Sequence, residues 1–213
     1  MAINLLSAVA VPKIVFQQVN RMISTFFWGT HEGKPKRKWV SWNTICRLMS
    51  EGGLGIRNVE EVVSSFRLKG LWNAMTNKSI WSSFICGKYG INNKVISGYV
   101  PPCSALKFWK ECANLTAALV KNSTWKVGQG DMNFWFENWS KEGILAEVHT
   151  EALTICHITL RETVEVDFSI NGLSETLISH VKDLYNTRLS AESNVRLWAR
   201  NPNGTFTVKP AFD

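Results

Sequence analysis

Ten tryptophans among 213 residues constrain this chain more than any other feature. Large aromatic rings dominate burial wherever they sit, so a core built around indoles is the expectation and most of the ten are read as structural. Their densest run, WKVGQGDMNFWFENW from Trp125 to Trp139, sets three tryptophans and two phenylalanines around a Gly-x-Gly-Asp. That composition fits a phosphate-cradling loop, a stacking platform for bases or an apolar hairpin. A phosphate cradle requires a helix opening directly behind its glycines. Here Trp125 and Val127 alternate with Lys126, and Met132, Phe134 and Phe136 alternate with Asn133 and Trp135, a period of two on either side of turn residues. The expectation is a β-hairpin, with Trp125, Phe134, Trp135 and Trp139 as packing residues.

Elsewhere the periodicity is helical. Pro12 suits a first helical turn, and Val15, Phe16, Val19, Met22, Ile23, Phe26 and Phe27 recur at helical spacing until Gly29. That apolar stripe is wide enough to require a partner. Gly52, Gly53 and Gly55 match neither GxxxxGK[ST] nor GxGxxG and read as a tight turn. Asn58 with Glu61 three residues on resembles a capping box, opening a helix through Val59, Val63, Phe66, Leu71 and Trp72. A short helix is predicted from Ser79 to Gly87 or Gly90, a loop or linker over residues 90–104, a helix from about Ser104 to Val120, and another in SETLISHVKDLY. The tail LWARNPNGTFTVKPAF reads as strand, Asn-Gly turn, strand, and its stop at Asp213 implies a truncated unit.

Charge divides the chain. Residues 1–110 carry 15 Lys/Arg and 4 Asp/Glu, residues 111–213 carry 9 and 13, so the net +7 is +11 in one half and −4 in the other. Only the first half is suited to a polyanion such as RNA or DNA, because phosphate affinity scales with the cations one surface presents. Within it, GTHEGKPKRKWVSW concentrates Lys34, Lys36, Arg37 and Lys38 ahead of Trp39 and Trp42. Cations for phosphates beside rings for bases is the pairing single-strand binders use. Solvated lysines and tryptophans that anchor a helix start remain the alternative.

Five cysteines at irregular spacings, with no CxxC, exclude a disulfide framework and a zinc knuckle, and fit an intracellular protein of nucleus or cytoplasm rather than a secreted one. No stretch approaches the roughly 20 apolar residues of a membrane span, and MAINLLSAVAVPK lacks the basic start of a signal peptide. Nothing places His31, His149, His157 or His180 beside a nucleophile, and Cys156-His157 lacks further metal ligands.

Read together, four elements in order resemble the plant LINE-type (non-LTR) retrotransposon reverse transcriptases and their ribonuclease H-like relatives, in the portion downstream of the polymerase palm. VPKIVFQQVNRMISTFFWG resembles a proline and lysine ahead of a helix ending in Phe/Trp-Trp-Gly. Lys38 to Trp42 with Cys46 and SEGGLGIRNVEEV resembles the Val-x-Trp and Glu-Gly-Gly-Leu-Gly-x-Arg element. LWNAMTNKSIWSSFICGKYG and WKVGQGDMNFWFENW are similar to the two elements that follow. NVRLWARNPNGTFTVKPAF resembles the start of the family's zinc-binding domain, with Asn194 where an Asp is usual and Pro210 where a Ser is usual. The ligands of that zinc would lie beyond Asp213, so no metal or other cofactor is implied for this chain. The family's catalytic Asp-Asp is absent as well, and no enzymatic role is expected here.

The resemblance implies an α+β, mostly helical chain with four regions. Residues 1–90 form thumb-like and connecting helices, 91–103 a linker, 104–193 a helix with the Trp-rich hairpin, and 194–213 the start of the zinc-binding domain. The implied role is template or primer binding through Lys34, Lys36, Arg37, Lys38, Arg47 and Arg57. The alternative is a protein-interaction module or inert remnant. Apolar faces whose partners lie in flanking domains predict self-association.

Overall fold

The computed structural model describes residues 6–76, 79–91, 99–149, 158–165, 173–187, 189 and 191–207. Cys156-His157, most of the expected linker and the tail beyond Thr207 lie outside them. The class is as expected: helices with two small antiparallel sheets. The chain forms two compact units, the first ending at Arg67 and the second beginning at Leu68.

In the first unit, α1 (Lys13–Trp28) starts behind Pro12 and ends at Gly29, whose φ of 76° accommodates the chain reversal that follows. Only Phe16 and Ser24 of α1 are buried. Phe16 packs on Val59 and Val63, and Asn20 donates from Nδ2 to Asn58 Oδ1 at 3.0 Å. Val19 packs beside that cluster, whereas toward the end of the stripe Met22 is 71% and Phe26 89% exposed. Strands β1 (Thr30–His31) and β2 (Lys34–Pro35) then pair through a two-residue turn at Glu32 (φ 50°) and Gly33 (φ 73°). Two consecutive left-handed residues match the right-handed twist of a hairpin.

Ser41 caps α2 (Trp42–Ile45) by accepting the Thr44 N–H at 3.2 Å. The glycine cluster forms the tight turn predicted. Gly53 N–H donates to Leu48 O and Gly55 N–H to Arg47 O, both at 2.9 Å, and a β-carbon on Gly53 would lie 2.0 Å from Arg47 O. Helix α3 (Val59–Thr76) begins at Asn58, whose Oδ1 accepts the Glu60 N–H at 3.1 Å.

In the second unit, the latter part of α3 buries Leu68, Leu71, Trp72 and Met75 in a core shared with Ile85, Tyr89, Trp109, Leu119 and Trp198. Helix α4 (Ile80–Tyr89) is closed by a Ser79–Ser82 capping box and by Gly90 in left-handed conformation, within the range predicted. The helix expected from Ser104 to Val120 is two, α5 (Lys107–Ala113) and α6 (Thr116–Lys121), broken at Asn114–Leu115. Tyr89 stacks on Trp109 at 4.9 Å, and the Trp109 indole donates to Tyr99 Oη at 3.1 Å.

The Trp-rich stretch departs from the expected hairpin. Strand β3 (Ser123–Lys126) pairs with distant β4 (Val195–Trp198), in register Ser123↔Trp198 to Lys126↔Val195. Asn133 bridges to Thr159 and residues 134–136 then fold as a turn, because Asn133 Oδ1 accepts the Trp135 and Phe136 N–H groups at 2.9 and 2.8 Å. Met132, Phe134 and Trp135 are all fully buried, which no half-buried strand allows. They form a second core with Trp139, Leu145, Leu160 and Leu177, reached by α7 (Leu145–Val148), α8 (Leu160–Glu165) and α9 (Glu175–Thr187). After β4 the Asn-Gly turn forms, Trp198 N–H donating to Gly204 O at 2.8 Å, but among the described residues Thr205–Thr207 pair with no strand.

Candidate nucleic-acid interface

The β1–β2 hairpin and the run behind it present Lys34, Lys36, Arg37 and Lys38, all exposed. Main-chain bonding fixes their base: Lys36 N–H donates to Gly29 O at 3.1 Å, tying the run to the end of α1. Four cations within five residues, at the end of a tightly turned strand pair, form a compact source of positive charge, which a phosphate chain can meet at several points. Arg47 and Arg57 are placed differently. Arg47 is exposed but lines a polar hollow of about 400 Å³ together with Glu51 and Glu61, so its field is partly cancelled there. Arg57 is half-buried behind the glycine turn.

The two tryptophans behind the cations separate. Trp42 is half-buried, edge-on to Phe27 at 6.1 Å, and anchors α2. Trp39 is 74% exposed, with the Arg37 guanidinium 5.0 Å from its ring centroid.

The Gly-x-Gly-Asp loop is occupied by the protein's own groups. Asn194 Oδ1 accepts the Gly128 N–H at 2.8 Å and the Gly130 N–H at 3.1 Å, and Asn194 Nδ2 donates to Asp131 Oδ1. Amides already spent on Asn194 are not offered to a phosphate. Gly128 is required by close approach, since a β-carbon there would sit 2.2 Å from Glu192 O.

Two polar clusters escaped the sequence reading. In the first, Arg196 Nη2 donates to Glu137 Oε2 at 2.8 Å, with the two side chains 3% and 0% exposed. Arg196 Nη1 donates to Ser123 Oγ at 3.0 Å, the Trp125 indole N–H donates to Glu137 Oε2 at 3.0 Å, and the guanidinium lies 4.3 Å from the Trp125 ring centroid. Burial pulls the Arg196 pKa down while Glu137 opposes the shift. This cluster ties β3, β4 and the Trp-rich turn together. Its signal in the sequence was a glutamate between Phe136 and Trp139 and an arginine alternating with apolar residues in VRLW.

In the second, Glu142 accepts bonds from Ser174 Oγ, from Thr176 Oγ1 at 2.7 Å and from His149 Nε2 at 2.9 Å. These donors, Ser174 first, lower the carboxyl from its ordinary 4.5 to about 2. Ser, His and Glu are thus adjacent, but the serine hydroxyl meets the carboxylate and not the imidazole. Nucleophile activation requires the hydroxyl on the base. Ser174 Oγ also accepts the Leu177 N–H at 3.2 Å, so it caps α9. Glu162 is likewise lowered, by the Thr159 N–H and then the Thr159 hydroxyl, in a capping box at α8. Burial, aided by the charge of Glu61, raises the Cys46 thiol pKa, and burial raises that of Cys86, the opposite of what a reactive cysteine needs. Among the described residues, no three His, Cys, Asp or Glu side chains gather as a metal site requires, and no helix is long and apolar enough to cross a membrane.

No family model and no solved structure matches the chain. It is similar to a protein of Arabidopsis thaliana named "Putative ribonuclease H protein", with 24% identity over 229 residues that span all of this chain and 36% of that protein. The chain therefore covers about a third of the length of the relative it matches.

Proposed function

We propose that this chain is the region downstream of the polymerase palm in a LINE-type retrotransposon reverse transcriptase, reaching the start of its zinc-binding domain. It holds template or primer there and catalyses no step itself. The four motif elements in order, and a distant relative named for ribonuclease H along the whole chain, support the retroelement reading. The observation that carries the binding role is the exposure of Lys34, Lys36, Arg37 and Lys38 on the turned hairpin and the run directly behind it. The test is binding of fluorescent single-stranded RNA and of a primer-template duplex over a salt series, with native chain and the K34A/K36A/R37A/K38A variant. On single strands each phosphate contact contributes about −0.7 to the log-log salt slope, so loss of four flattens it by about 3. Absence of binding at low salt by the folded chain refutes this role.

The exposed face of α1, with Met22 and Phe26 in water, favours a second reading as a protein-interaction piece. Light scattering tests its simplest form, self-association, which a monodisperse monomer excludes.

A further inference from the structure

We propose that Trp39 is a stacking site for one unpaired base of a single-stranded nucleic acid. The inference rests on the nucleic-acid reading of the basic hairpin and gives that surface a contact that phosphate binding alone lacks. All ten tryptophans fall among the described residues, and Trp39 is the most exposed of them. Its neighbours in kind show how this chain treats an indole with a structural role: Trp109, Trp135 and Trp198 are fully buried, and Trp42, three residues on, packs against Phe27.

Trp81 is 45% exposed, but the other eight are buried or half-buried. An indole left in water to the extent of Trp39 forgoes that burial, so a bound partner is what gives its surface a use. The partner's chemistry follows from what surrounds the ring. Arg37 holds a cation near the ring, and Lys34, Lys36 and Lys38 flank it in sequence, all exposed. A ligand here must bring negative charge and a flat apolar face together. A single strand does so at every nucleotide, with phosphates for the cations and a base for the ring, whereas a paired duplex keeps its bases stacked on one another. Arg37 has two roles in this arrangement, as a phosphate contact and as a brace that limits the motion of the indole.

The experiment measures anisotropy of a labelled single strand of roughly 12 nucleotides, and of an abasic strand of equal length, with native chain, W39A and W39F. Base–aromatic stacking of the usual strength gives a loss of about 5- to 150-fold for W39A on the base-bearing strand. The salt slope should stay as in the native chain, the abasic strand should bind W39A as it binds the native chain, and W39F should recover part of the loss. Because Trp39 is exposed, circular dichroism of the variants should match the native chain. Salt-sensitive binding that W39A leaves unchanged overturns the stacking site but not the basic surface, as does an equal loss on both strands. If the folded native chain binds neither strand, the nucleic-acid reading falls and the stacking site with it.

Discussion

Replacing Glu137 by Gln removes one charge from a pair that water cannot reach. Glu137 is 0% and Arg196 3% exposed in their side chains. Glutamine keeps the shape and an oxygen to accept from the Trp125 indole, so the substitution isolates the charge and leaves a buried guanidinium without its counterion. At a separation of about 4 Å and an effective dielectric of about 20, the lost attraction is roughly 4 kcal/mol. Removing one partner of a buried pair typically costs about 3–5 kcal/mol, in agreement. R196M strands Glu137 in the same way. The double variant E137Q/R196M strands no charge, so its loss should fall below the sum of the single losses by about 2–3 kcal/mol. Urea unfolding followed by tryptophan fluorescence supplies all four corners of the cycle. A cost for E137Q below about 1 kcal/mol, or additivity within about 0.5 kcal/mol, refutes the claim that this pair ties the Trp-rich turn to β4.

Glu142 gives a pH signature. Its folded pKa, about 2, lies below the ordinary 4.5, so the stability from its bonds is present above pH 4.5 and lost as pH falls toward 2. E142Q should lack that component of acid destabilisation, seen as a smaller shift of the urea midpoint between about pH 5 and about pH 2.5; equal shifts refute it. N194A deprives the Gly128 and Gly130 N–H groups of their acceptor and should cost about 2–6 kcal/mol by urea unfolding, at roughly 1–3 kcal/mol for each stranded group. N194D restores the acceptor but sets a second carboxylate against Asp131. It should be less stable than the native chain at neutral pH and recover on mild acidification; native stability at neutral pH would refute the contact. G53A forces a β-carbon to within 2.0 Å of Arg47 O and should cost more than about 1 kcal/mol in thermal unfolding, whereas an unchanged transition would show that the turn relaxes freely.

Helix positions were legible because their punctuation is local. Pro12, Gly29, Ser79 and Gly90 act on the residues beside them, and the structure places α1 and α4 between those marks. The partner of Trp125 was not legible. Period-two alternation identifies a strand without naming its neighbour, and Arg196 lies far along the chain. Asn133 then overrode the alternation behind the glycines, since its side chain accepts two following amides and turns the backbone where a second hairpin strand was expected. The basic run was visible as charge, but its pairing into a hairpin through Glu32-Gly33 was not. The separation of Trp39 from Trp42 was not, because two indoles at adjacent helical spacing look alike until the core chooses one. The Glu142 cluster joins residues about 30 apart through hydroxyls, and serines and threonines carry no sequence signal of partnership.

The pairing of β3 with β4 also sets a schedule for synthesis. Strand β3 leaves the ribosome roughly 70 residues before its partner, and chains grow at about 5–20 residues per second. For about 4–14 seconds the indole of Trp125, the carboxylate of Glu137 and the open edge of β3 wait without the arginine and strand that will cover them. An unpaired edge beside a run of large apolar side chains is a template for pairing with another nascent chain. The interval is short on a single ribosome, but on a crowded polysome it is the period in which this protein is most exposed to its own copies.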